Sequence, residues 1–183
     1  MGPLIVQGVG FIGLLIVIVM FQVNRRSFTL KLLVFSSIMF VIHFYLLGAW
    51  TAVAMNIIGA FRAFVFNKKE SYKWLNRRET MYLFVGLFWT TGFLSWEGPL
   101  SLLPIASMSV ECFALWNSNT KRIRWLMLAA RPGWLIYNVL VGSYAGLATE
   151  IFLTSTLLVA VYRFDSRSDK IYYPIKHKLQ QSK

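Results

Sequence analysis

One cysteine in 183 residues, Cys112, rules out an intrachain disulfide, and its place inside an apolar stretch leaves the redox compartment open. Acidic residues are nearly as scarce, with seven Asp and Glu against 19 Lys and Arg for a net charge of +12. Only 14% of the chain is charged while 57% is hydrophobic, which is too apolar for an ordinary soluble domain. There is no His-Glu-x-x-His, no Gly-x-Ser-x-Gly and no clustered Asp pair. An enzyme is therefore not expected, and no catalytic residue, metal ligand or cofactor is assigned. Strong positive charge can mark a nucleic-acid partner, but neither a basic helix nor an aromatic RNA-binding pattern accompanies it, so none is expected. The first apolar stretch has no positive segment before it and is long enough to span a bilayer, so it reads as a helix that stays rather than a cleavable signal.

The most telling absence is of Lys and Arg from every second gap between long apolar stretches. The gaps around Gly48, Glu97-Gly98-Pro99 and Gly142 contain none. The intervening gaps hold nearly all of them: Arg25, Arg26 and Lys31; Lys68 through Arg78; Lys121, Arg122 and Arg124; and Arg163 onward. Short loops rich in Lys and Arg stay cytoplasmic, so strict alternation means that each stretch crosses a membrane. The number of stretches is odd, which places the N-terminus outside and the C-terminus inside.

A spanning helix needs roughly 20 mostly apolar residues. The regions 28–66 and 123–162 are each too long for one span, since a single helix over 28–66 would extend about 58 Å and carry basic residues at both ends. Each must fold back, near Gly48 and near Gly142-Ser143. The chain thus reads as an all-α membrane protein of seven helices, at about 3–23, 29–47, 49–66, 80–96, 99–117, 122–141 and 143–163. Lys31 and Arg62 are expected to snorkel to the cytoplasmic interface. Residues 164–183 read as a basic cytoplasmic tail, with Tyr172 and Tyr173 as interfacial anchors.

A shift of 94 residues lays the two folded-back regions on one another without a gap. Gly48 falls on Gly142, Trp50 on Tyr144, Ala54 on Ala148 and Ile57 on Ile151, and the basic loops Arg25-Arg26 and Lys121-Arg122 lie close. Helices 1–3 and 5–7 then form two repeats (1–66 and 99–163) around a basic loop and linker helix (67–98). An odd linker keeps both halves in one orientation, so the repeats are parallel.

The runs Val41-Ile-His-Phe-Tyr-Leu-Leu-Gly, Asn56-Ile-Ile-Gly-Ala-Phe-Arg, Leu102-Leu-Pro-Ile and Trp134-Leu-Ile-Tyr-Asn, with Gly142 through Glu150, resemble the bacterial YgjV inner-membrane family over about residues 5 to 163. That family is similar in turn to the wider SWEET, PQ-loop and PnuC group. The resemblance implies a 3+1+3 architecture, two three-helix bundles around a central solute pathway. It also implies a pocket in which an Asn on helix 3 faces another on helix 7, with helix-2 and helix-6 aromatics nearby. Asn56 resembles the first Asn, and Trp134-Leu-Ile-Tyr137 the aromatic pattern. Glu150 stands in place of the second Asn, His43 where Tyr137 stands in the other half, and no Pro-Gln pair is present, so sugar specificity does not carry over.

Depth supports part of this set independently. Asn56 and Glu150 each lie eight residues past a turn glycine, about 12 Å below the outer end. An ionisable group at that depth is costly and tends to face a cavity or a partner. Arg131 and Glu111 lie at a matching depth of about 16–18 Å on successive helices, which predicts a buried ion pair or a gate. His43, about 8 Å below its turn, reads as a hydrogen-bonded residue that water can reach. The expected solute-binding set is Asn56, Glu150, Trp134, Tyr137, Asn138 and His43. The sequence therefore predicts a multi-pass transporter or facilitator of a small polar solute in the bacterial inner membrane. Its expected partners are the lipid bilayer and that solute, with room for a homo-oligomer. The alternative is a structural or regulatory membrane protein of the same fold that transports nothing.

Overall fold

The computed structural model describes residues 3–23, 26–69 and 71–165. Among them are seven α-helices and no strand: α1 (Pro3–Gln22), α2 (Arg26–Leu47), α3 (Trp50–Lys68), α4 (Arg78–Leu94), α5 (Leu102–Trp116), α6 (Thr120–Leu140) and α7 (Tyr144–Phe164). A short 3-10 turn, Pro99–Ser101, leads into α5. The basic tail expected over 164–183, with Tyr172 and Tyr173, lies beyond Asp165 and outside the described residues. Two helix pairs fold back where the sequence places their turns. Gly48 has φ +74° and Gly142 φ +69°, a left-handed backbone that costs any residue with a Cβ about 1–2 kcal/mol. Asn119 starts α6 by accepting from the N–H groups of Lys121 and Arg122, and Ser143 starts α7 by accepting from that of Gly146.

Six of the helices close a ring. α1 packs on α2, α2 on α3, α3 on α5, α5 on α6, α6 on α7, and α7 returns to α1. α4 packs against α3 and α5, burying Phe84 and Phe88 with Met55, Ile105 and Cys112. The outward surface is apolar, with Leu15, Phe35, Phe61, Leu83, Val139 and Ile151 each more than half exposed. A belt of that size needs lipid to cover it. Three helical segments, Pro3–Gln22, Pro99–Trp116 and Tyr144–Phe164, are by themselves long and apolar enough to cross a membrane.

The two seams of the ring, α1–α7 and α3–α5, are latched at the end where the turn glycines lie. At one seam the Ala145 N–H donates to Oε1 of Gln7 (3.2 Å), while Nε2 of Gln7 donates to the Gly142 carbonyl (2.8 Å). At the other, the Thr51 N–H donates to the Glu97 carboxylate (2.9 Å). The Ser101 hydroxyl reaches Oγ1 of Thr51 (2.8 Å), which itself donates to the Ser95 carbonyl (2.7 Å). Thr51 and Ala145 are 94 residues apart, and each is the second residue of its helix. In both cases the neighbouring segment supplies an acceptor to an N–H that the helix leaves open.

At the opposite end Arg124 on α6 clamps Asp165, just past α7, its Nε donating to Oδ2 at 3.2 Å. The guanidinium holds the Asp165 carboxyl below its ordinary range, so the clamp stands at neutral pH and is lost as pH falls through that lowered range.

The turn geometry makes a contrast that thermal unfolding in detergent can read. Gly48→Ala and Gly142→Ala should each destabilise by about 1–2 kcal/mol. Gly8→Ala and Gly86→Ala, in helices where an added methyl meets nothing within 4 Å, should be neutral or stabilise by up to about 1 kcal/mol. Equal effects at all four positions would mean that the turns do not need the left-handed residue.

Candidate functional site

The ring encloses a cavity of about 440 Å³ lined by all six of its helices, with no lining residue from α4. Glycines set how closely its walls approach. A Cβ on Gly133 would sit 3.0 Å from the Leu103 carbonyl oxygen, so only glycine lets α6 lie this near α5. A Cβ on Gly146 would run into Asn138 and Ser143, so α7 gains the same closeness to α6. Those two approaches bring three charged side chains from three helices to one point.

There Arg131 lies between two carboxylates. Its Nη1 donates to both oxygens of Glu150, at 3.0 and 3.3 Å, and its Nη2 donates to Oε1 of Glu111. The Nε is spent on the Met127 carbonyl at 3.2 Å. Glu111 takes a second cation through its other oxygen, 3.1 Å from Nη2 of Arg62, whose Nη1 donates to the Met108 carbonyl at 3.0 Å. Two guanidinium and two carboxylate groups thus form one chain, Arg62–Glu111–Arg131–Glu150, across α3, α5, α6 and α7. Each of the four residues is at most 7% exposed, and all four line the cavity. Burying four charges is tolerable because every one is paired and the sum is zero.

The lining follows the 94-residue shift. It contains both members of Val17/Glu111, Phe21/Leu115, Leu33/Met127 and Ser37/Arg131. It also contains both members of Phe40/Trp134, Phe44/Asn138, Asn56/Glu150 and Gly59/Leu153. Matched positions therefore reach one cavity, but their chemistry differs. Three of the four charges come from α5–α7, opposite Val17, Ser37 and Asn56.

Of the residues expected at the site, Asn56, Glu150, Trp134 and Asn138 line the cavity together with Arg131 and Glu111. Tyr137 and His43 do not. Tyr137 packs its ring edge-on against Trp134 in the core behind the wall. His43 is fully buried rather than wetted. Its Nδ1 donates to the Val6 carbonyl and its Nε2 pairs with the Ser143 hydroxyl, both at 2.8 Å, so it fastens α2 to α1 and α7. A helix position two turns from a bilayer edge can face a neighbour as readily as a pocket, and depth alone does not choose.

Arg62 is the largest departure. It is 4% exposed and bonded inward, not snorkelling to the interface. The signal was present, since Arg62 lies fourteen residues past Gly48, about 21 Å from the turn, less than the thickness of a bilayer core. The Arg131–Glu150 pair was legible too, because the two residues stand eleven and eight positions from the same turn on adjacent helices.

Arg131→Ala should strand Glu150 and leave one uncompensated charge, at a cost of about 3–5 kcal/mol. The double change Arg131→Ala, Glu150→Ala leaves the Arg62–Glu111 pair intact and neutral, and should recover part of the loss. Glu111→Ala strands Arg62 instead, while Arg131 keeps Glu150. Thermal melts of the purified variants decide the matter, and losses that simply add would mean that the residues do not act as one network.

Residues 4–168 match the Imp-YgjV family, described as bacterial inner membrane proteins. The chain is 29% identical over 165 residues to the inner membrane protein YgjV of Escherichia coli (strain K12), an alignment covering 88% of this chain and 86% of that protein. No solved structure matches it. A family match across the whole helical bundle, in a chain with spanning helices and a lipid-demanding surface, is decisive: the protein belongs to the Imp-YgjV family of bacterial inner membrane proteins.

Proposed function

We propose that the protein is a transporter or facilitator that passes a small polar solute across the bacterial inner membrane through the cavity at the centre of its ring. In this reading all seven helices cross, the N-terminus is outside and the C-terminus is cytoplasmic. α1–α3 and α5–α7 are parallel three-helix repeats joined by α4. The Lys and Arg alternation supports the orientation, and the shared cavity positions support the repeat. The likeness to the SWEET and PQ-loop group suggested by the sequence fits the same architecture. α3 and α6 fall short of span-like apolarity partly because they carry Arg62 and Arg131, whose charges are neutralised within the bundle.

The observation that carries the reading is the charge network on a cavity wall. A buried ion pair rarely stabilises more than well-packed apolar residues of the same volume. Four such groups buried in contact are therefore an expensive way to hold helices together, and intramembrane charges of this kind mark solute or ion paths. The binding set in this proposal is Asn56, Glu150, Trp134, Asn138, Arg131, Glu111 and Arg62. Tyr137 and His43 act from behind the wall.

Orientation is read by reporter fusions: fusions after Lys183 and at Gly98 should report opposite sides of the membrane, and the same side for both would overturn the topology. The path is read by cysteine labelling in a Cys112→Ser background. The lining reaches Phe21 and Leu115 in the last turns of α1 and α5, so Ser37→Cys should react from the cytoplasmic face with a charged methanethiosulfonate, as an exposed Lys121→Cys control does. Reaction only at the control would favour a structural or regulatory protein that has the fold without the pathway.

A further inference from the structure

The cavity has two ends of different chemistry. Phe44 and Asn138 lie four residues from their turn glycines and Phe40 and Trp134 eight, which puts them about 6 and 12 Å below the latched end. The Phe44 ring stands 6.3 Å from those of both Phe40 and Trp134, making a three-ring aromatic wall. Glu150 lies level with Phe40 and Trp134, and Arg131 and Arg62 lie deeper, about 16 and 21 Å from the same end. The charged groups come mostly from one half of the ring and face the uncharged Val17 and Ser37 of the other. A solute held here has one orientation, with its apolar end among the rings and its polar end at the charges.

The charge balance narrows the class. The network sums to zero, and both carboxylates and three of the four Nη groups are spent within it, the fourth going to Met108. A solute with net charge would add one uncompensated charge to a wall whose four buried charges already sum to zero. An uncharged solute that displaces an ion pair replaces neither charged partner. A zwitterion can replace both, offering a carboxylate to a guanidinium and an ammonium to a carboxylate, so the number of paired charges is kept. One buried polar atom among the charges has no partner, Nε of Arg62. It is a donor for an anionic head group.

We propose, resting on the transport reading above, that the solute is a net-neutral, zwitterionic amphiphile whose aromatic or bulky apolar end lies against Phe40, Phe44 and Trp134 and whose charged head exchanges with the Arg62–Glu111–Arg131–Glu150 network. Aromatic amino acids have this chemistry and serve as probes of it.

The test is uptake by proteoliposomes containing the full chain, using a series matched for shape. L-tryptophan and L-phenylalanine are zwitterions, N-acetyl-L-tryptophan is the anion and tryptamine the cation. Glycine has the head without the body, and glucose and uridine are polar without charge. Uptake of the aromatic zwitterions should exceed that of the anion, the cation and the uncharged solutes by about tenfold or more. Trp134→Ala should reduce uptake of the aromatic zwitterions further than that of glycine. If a net-charged or an uncharged polar member is the one carried, this assignment is overturned while transport stands. If no member of any class is carried above empty liposomes, the transport reading fails and this one with it.

Discussion

Everything at the centre of the ring depends on one guanidinium placed between two carboxylates. Arg131 holds Glu111 on α5 and Glu150 on α7, and Glu111 passes the connection to Arg62 on α3. Remove the cation and two acids face each other in a space with little water. Keep it, and four helices share a neutral junction. The residues beside it in the sequence make the placement attainable. Gly133 draws α6 onto α5 and Gly146 draws α7 onto α6, while Pro132 removes an N–H that would otherwise bond within the helix at that level. Small residues here are less a matter of flexibility than of reach. A Cβ at Gly133 would press on the Leu103 carbonyl and push the backbones of α5 and α6 apart, and one at Gly146 would displace the side chains of Asn138 and Ser143.

Most of the fold was legible in the sequence because a bilayer constrains it on two independent scales. Hydrocarbon thickness fixes helix length, and the Lys and Arg alternation fixes which gaps are tight turns. Together they located Gly48 and Gly142, both of which are left-handed. The six-helix ring was partly legible through the 94-residue shift, which later reappears in the paired lining of the cavity. The side-chain directions were much less so. Depth measured from a turn places a residue along the membrane normal but says nothing of rotation about the helix axis. Hence Asn56 and Glu150, matched in depth, reach the cavity, while Tyr137 is turned behind Trp134 and His43 is turned into the α1–α7 seam. Arg62 was misjudged for a different reason. Snorkelling is the ordinary escape for a cation near a helix end, but it yields when a buried carboxylate offers a nearer and stronger partner.

The ring has two kinds of joint, and they differ in strength. Within each set of three helices, short connections and long helix–helix faces hold neighbours together. Between the sets, the α1–α7 and α3–α5 seams are closed near the turn-glycine end by a few hydrogen bonds at the first turn of α3 or α7, beside the His43–Ser143 bond from α2. Such bonds exchange readily with water once a seam parts, because both partners are polar. The network at the far side of the cavity is of another kind, since it crosses the α3–α5 seam through Arg62 and Glu111 at a depth where water is scarce. Parting the seams at the latched end while the charged junction holds would tilt one set of helices against the other about that junction.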